Sequence, residues 1–193
     1  MRFQFLSDYL QRRWGVWALL VAVVVGVAGL GGFTIALRWT NTESFCISCH
    51  EMRENVYAEY RGTIHDANRT GVRATCPDCH VPKTLGPLLW RKVMATFELW
   101  GKLTGKIDTK EKFEKHRYAM ALKVWTEMKA NDSLECQNCH HIDNMNPKKQ
   151  SEKAQARHAK AKAEKITCIE CHFAIAHKEP DGELGPKDIV IKK

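Results

Sequence analysis

Cys46-Ile47-Ser48-Cys49-His50, Cys76-Pro77-Asp78-Cys79-His80, Cys136-Gln137-Asn138-Cys139-His140 and Cys168-Ile169-Glu170-Cys171-His172 are four copies of one pattern, and together they use all eight cysteines of this 193-residue chain. Two thiols three positions apart can form thioethers to the two vinyl groups of one porphyrin. The residue that follows then lies under the ring, where an imidazole can reach the iron. Cys-x-x-Cys-His is therefore read as the attachment site of a c-type haem. A bare Cys-x-x-Cys also suits a zinc half-site or a redox dithiol. Neither chemistry requires histidine immediately after every pair, and four repeats with no cysteine left over select four haem c groups.

Upstream the chain changes character. Residues 14–37 carry no formal charge. At about 1.5 Å per residue these 24 residues reach roughly 36 Å, enough to cross a hydrocarbon core of about 30 Å. Arg2, Arg12 and Arg13 precede the run. The positive-inside rule then keeps residues 1–13 in the cytoplasm and sends the rest across the bacterial inner membrane. Trp14, Trp17 and Trp39 stand near the ends of the span, as interfacial aromatics do. A cleaved signal peptide has a shorter apolar stretch and a small-x-small site, so a retained anchor over 14–38 is the expectation. The haem domain, 39–178, is expected to be periplasmic.

The net charge is +8, much of it from the run KKQSEKAQARHAKAKAEK at 148–165. Basic runs can mark nucleic-acid binding. In an exported domain that partner is not expected, and a solvated helix face is. An acidic docking partner is a secondary use, because complementary charge speeds encounter.

Four haems in so short a domain leave little room for an ordinary core, so the haems must supply much of the apolar interior. The expected fold class is mainly α with extensive loops: one transmembrane helix, then a multihaem cytochrome c domain. An internal repeat suggests a duplicated two-haem unit. Fourteen residues lie between His50 and His65 and ten between His65 and Cys76; 17 lie between His140 and His158 and nine between His158 and Cys168. The insert 81–135 contains two helical patterns. In residues 87–100, Leu89, Val93, Phe97 and Trp100 recur at helical spacing, and Trp90 and Trp100 suit either lipid headgroups or packing against haem. In residues 112–129, Phe113, His116, Met120, Val124 and Met128 share a side, with Asp108-Thr109 as the cap. Residues 179–193 are expected to be an exposed tail.

Each iron needs axial ligands. The motifs supply His50, His80, His140 and His172, leaving His65, His116, His141, His158 and His177. Five spare histidines for four irons argue for filled coordination, and so for electron relay rather than substrate reduction at an open iron. His65, His158 and His177 are the expected distal ligands, with His116 a further candidate; His141 adjoins His140 and points elsewhere. Met52 follows His50 by two positions, and a thioether can also bind haem iron.

The stretches CISCHEM (46–52), NRTGVRATCPDCHVP (68–82), NDSLECQNCH (131–140) and CIECH (168–172) with Ala176-His177 after it closely resemble the NapC/NirT family of membrane-anchored tetrahaem quinol dehydrogenases. The resemblance covers nearly the whole chain. It implies electron transfer from membrane quinol (menaquinol or ubiquinol) to a periplasmic terminal reductase, foremost nitrate reductase, with nitrite, N-oxide and sulfoxide reductases as alternatives. It implies that Met52, and not His50, ligates the first iron. It also implies a quinol site at Lys92 and Glu98, where a lysine and a carboxylate could accept the protons that quinol oxidation releases. One departure is Lys83, where many relatives carry a histidine proposed as a distal ligand; either Lys83 binds, or His116 substitutes, or a partner supplies the ligand. The alternative from another class is a small multihaem enzyme that reduces a periplasmic substrate itself.

Overall fold

The computed structural model describes residues 2–191, with side chains from Arg13 onward. Arg2 and Arg12, two of the three charges used to orient the anchor, lie outside the described side chains, as do Lys192 and Lys193. The chain divides into two compact units, Met1–Thr42 and Glu43–Lys193.

The first unit is a single helix, α1 (Arg2–Trp39). Its stretch Arg13–Trp39 is 27 residues long and contains an 18-residue window of mean hydropathy 2.4, none of which is buried. A helix satisfies its own backbone hydrogen bonds, so this one is long and apolar enough to cross a membrane.

The second unit contains no β-strand among the described residues. Its haem motifs sit on short helical turns: α2 (Glu43–Cys46), α4 (Cys76–His80), α7 (Leu134–Gln137) and α9 (Cys168–Cys171). Two of these turns are held by capping boxes. Thr75 and Asp78 exchange side-chain and backbone bonds across Cys76 and Pro77, and Thr167 and Glu170 do the same across Cys168 and Ile169. The acidic residue inside Cys-x-x-Cys thus ties down two otherwise orphaned amides. After the first motif, Met52–Tyr57 forms a π-helical turn that runs into α3 (Ala58–Tyr60).

Between the second and third motifs run α5 (Leu85–Leu103) and α6 (Lys110–Ala130). Thr109 caps α6, its hydroxyl accepting from the Lys112 amide at 3.3 Å. The buried residues of α6 are Phe113, Arg117 and Trp125, so its inner side is turned from the Phe113–His116–Met120 line read from periodicity. The cause is Arg117, whose guanidinium is drawn in by Glu59. The basic run becomes α8 (Glu152–Glu164), capped by Ser151.

Few apolar side chains are interior. Among the described residues only Tyr60, Phe113, Trp125 and Ile169 are buried hydrophobics. The polypeptide alone does not build the core a domain of this length ordinarily has.

The C-terminal segment, expected as an exposed tail, docks on α6. Although many of its side chains are exposed, the Pro186 side chain is among the most deeply buried in the chain. Lys129 Nζ donates to the Pro186 and Lys187 carbonyls, each at 3.3 Å. The Leu184 amide donates to the Tyr118 hydroxyl at 2.8 Å. Proline and glycine set the turns here, and α6 supplies the surface they dock on.

Candidate haem centres

The four motifs adjoin one another in chain order. Cys46 and Cys76 stand close enough to interact. Cys79 lies within electrostatic reach of Cys139 and Cys136, and Cys136 of Cys168. The amide of Ile169, inside the fourth motif, donates to the hydroxyl of Ser133, just ahead of the third, at 3.1 Å. None of the eight cysteines is joined in a disulfide, and among the described residues no group of three or more histidine, cysteine or acidic side chains is arranged to hold a metal ion. Zinc half-sites would have to converge in fours; these pairs do not.

The histidines pair across the domain. Ring centroids are 6.2 Å apart for His80 and His177, 6.2 Å for His65 and His140, and 6.1 Å for His158 and His172. An imidazole nitrogen bonds a first-row metal at about 2 Å and lies about 1 Å from its ring centre, so two imidazoles on opposite faces of one iron have centres about 6 Å apart. All three pairs have that separation. The angle between rings, which differs among them, is free because each ring can turn about its own metal–nitrogen bond.

Polar partners steer the rings. His177 Nδ1 lies 3.0 Å from the Val56 carbonyl, and His158 Nδ1 lies 2.9 Å from Gln150 Oε1. Holding Nδ1 this way leaves Nε2 for a metal and sets the tautomer. Burial pushes the pKa of His80 down to about 4, helped by the neighbouring His177; burial also lowers His177, and burial with His140 lowers His65. Neutral imidazole is the form that binds metal.

One clamp places His177. Arg117 makes a bidentate pair with Glu59, Nη1 to Oε1 at 2.7 Å and Nη2 to Oε2 at 2.5 Å. Arg117 also donates to the Lys178 carbonyl at 2.8 Å, and the Lys178 amide donates to Glu59 at 2.9 Å. The residue after His177 is thereby tied to α3 and α6 at once.

The remaining sequence candidates lie elsewhere. His116 is half-buried, with Nδ1 2.8 Å from the carbonyl of Lys112 one turn back. Lys83 is exposed and lies 3.8 Å from Asp78. His141 is exposed. The repeat positions His65 and His158 are not used alike: His65 meets a motif histidine of the other half, whereas His158 meets one of its own half.

At the first motif, His50 Nε2 is 3.4 Å from Glu51 Oε1. Glu51 is buried, with Lys102 Nζ 2.7 Å from both carboxylate oxygens. Met52 is partly exposed and opens the π-helical turn; such turns occur often at functional sites. A cavity of about 370 Å³ adjoins this motif, lined by His50, Glu51, Asp108 and Lys110 among others. Lys92 stands close enough to Cys46 for their charges to interact, and burial lowers its pKa. Glu98 pairs with Arg91 at 3.0 Å and Lys123 at 3.6 Å, and its charge acts on His80 of the second motif. Sequence reading missed the Glu51–Lys102 and Arg117–Glu59 pairs, because partners 51 and 58 residues apart leave no local signal. It also missed the capping boxes, which Thr-Cys-x-Asp/Glu did announce.

Cys-x-x-Cys pairs without disulfides, a histidine after each, imidazoles spaced for a shared iron and an interior short of apolar side chains together define a c-type cytochrome. The profile of the NapC/NirT cytochrome c family, N-terminal region, matches residues 10–182, and the chain belongs to that family. It is 54% identical to the denitrification system component NirT of Stutzerimonas stutzeri over 85% of this chain and 82% of that protein. It is 51% identical to the cytochrome c-type protein NapC of Escherichia coli K12 over 84% and 82%. A tetraheme cytochrome c-type protein of Allochromatium vinosum is 43% identical over 88% and 91%. No solved structure matches the chain.

Proposed function

We propose that this chain takes electrons from membrane quinol and relays them through four c-type haems to a periplasmic terminal reductase, with periplasmic nitrate reductase as the partner. The three histidine pairs carry this reading. They give the second, third and fourth motifs two neutral imidazoles each, a ligand set for one-electron transfer rather than substrate binding. When bound, haem c supplies a one-electron centre at each motif. His80 with His177, His140 with His65, and His172 with His158 would hold the irons at these motifs, and neither His116 nor Lys83 would be needed there. The first motif differs: Met52 would hold its iron, and His50 lies against Glu51.

Lys92, beside Cys46 and with a lowered pKa, is suited to accept a proton from quinol at that motif. Glu98 is the second proton-handling group, reached through Arg91. The apolar α1 and the family support a single-pass inner-membrane protein with a periplasmic haem domain. The different names of the relatives, NirT and NapC, bear on the choice of reductase.

The test is reduction of the membrane-bound holoprotein by menaquinol and ubiquinol analogues, followed by reoxidation with purified reductases. Fast reduction by quinol, and reoxidation by nitrate reductase plus nitrate, is the expected result. Failure of both quinols to reduce a spectrally intact holoprotein would remove the quinol reading.

A further inference from the structure

We infer that α5 (Leu85–Leu103) is a second membrane-contacting element, lying in the lipid headgroup region with its apolar side toward the acyl chains. This rests on the membrane-anchored reading above.

The helix is amphipathic, but it is turned the opposite way from a helix of a soluble domain. No residue of α5 is buried. Its charged side makes the contacts with the domain: Arg91 Nε donates to the His80 carbonyl at 3.3 Å, Glu98 pairs with Lys123 of α6 at 3.6 Å, and Lys102 pairs with the buried Glu51. Its apolar side projects into solvent, with Trp90 67%, Phe97 65% and Trp100 66% exposed, and Leu85, Leu89, Val93 and Leu103 exposed beside them. At about 100° per residue these seven span one continuous sector of roughly 140°. Water would be a poor neighbour for it. A contiguous exposed patch of large apolar side chains marks an interaction surface.

Every contact of α5 with a motif described above comes from its charged side or from Lys92 at the border: Arg91 to His80, Lys102 to Glu51 beside His50, and Lys92 to Cys46.

The bilayer is the occupant the chain itself points to. Only residues 40–42 separate α1 from Glu43. Three residues reach about 10 Å at full extension, so a membrane-embedded α1 keeps the second unit at the same surface. The two tryptophans are the residues that favour the headgroup level, and an apolar sector with Lys92 at its border fits a helix lying in the interface. With Lys92 at the border of the sector, the same contact brings the first motif to the depth where a lipid-soluble quinol arrives.

The test uses the full-length holoprotein in nanodiscs of phosphatidylethanolamine and phosphatidylglycerol. A small share of phospholipid carries a diazirine on its acyl chain near the glycerol. After photolysis, peptide mass spectrometry should find label on Trp90, Val93, Phe97 and Trp100, at helical spacing, and none on the exposed residues of α6. A Phe97→Glu/Trp100→Glu double variant with an unchanged haem spectrum should carry about tenfold less label on α5. Absence of label on α5 in the unmodified protein overturns the inference. So does crosslinking of α5 between two copies, with label falling as copies per disc rise. Quinol oxidation measured in the same discs reports separately: label without quinol oxidation keeps the docked helix and removes the donor, and quinol oxidation without label does the reverse.

Discussion

Lys102 at the end of α5 places its ammonium 2.7 Å from both carboxylate oxygens of Glu51, the residue between His50 and Met52. Glu51 is buried, and burial alone would raise its pKa; the hydrogen bond and charge of Lys102, with a backbone hydrogen bond and the neighbouring His50, together reverse this and hold it below the usual carboxylate range. The pair joins the first haem motif to the helix that carries Lys92. A carboxylate in this setting is costly once its cation is removed. Lys102→Met should therefore lower the thermal midpoint and perturb the spectrum of the first haem. Adding Glu51→Gln should restore most of the stability, and a double-mutant cycle read by thermal denaturation checks the coupling.

The three histidine pairs make separable predictions. His177→Ala, His65→Ala and His158→Ala should each convert one of four haems from low spin to high spin, visible by electron paramagnetic resonance. His116→Ala and Lys83→Ala should leave the spin state unchanged. A high-spin signal from either of these two would overturn the assignment of the pairs.

The Arg117–Glu59 clamp should be needed to hold His177. Arg117→Ala leaves a largely buried carboxylate without its partner, and removing one member of such a pair costs about 3 kcal/mol, measurable by urea denaturation. Arg117→Lys should recover only part, because an ammonium cannot make the two-pronged contact.

The same pair sets a pH dependence. Burial raises the Glu59 pKa, and Arg117 and the Lys178 amide more than reverse this, so its folded value lies below the ordinary one. A carboxylate with a depressed folded pKa contributes stability that is fully present above its unfolded value of about 4.3 and is lost as pH falls through the folded value. Unfolding free energy should thus decline as pH drops below about 4. That decline should be shallower in Glu59→Gln.

Gly182 packs against α6 with no room for a side chain. A Cβ there would fall 1.9 Å from Tyr118 Cε2, and Tyr118 cannot swing freely because its hydroxyl binds the Leu184 amide. Gly182→Ala should destabilise by about 1–3 kcal/mol, with faster proteolysis of the C-terminal segment. Full tolerance would show that this segment is not docked.

Much of this molecule is determined at short range. The attachment motifs, the charge-free run of α1, the Thr109 cap of α6 and the absence of strand-like alternation depend on residues within a few positions of one another, so the chain text alone was enough to read them. The candidate distal ligands were also legible as residue types. What the text could not supply was which ring faces which. His65 and His158 hold equivalent places between motifs, yet one reaches across to His140 and the other stays with His172, because long-range packing, and not spacing, brings rings together. Two other decisions were tertiary. Arg117 turned α6 by pairing with a carboxylate 58 residues away, and α5 turned its charged side inward because Glu51 and the His80 carbonyl lie there. Local sequence sets which groups can bind and which segments coil. Only the folded chain sets which groups meet, because each such pairing is selected by the burial and charge of partners far apart in sequence.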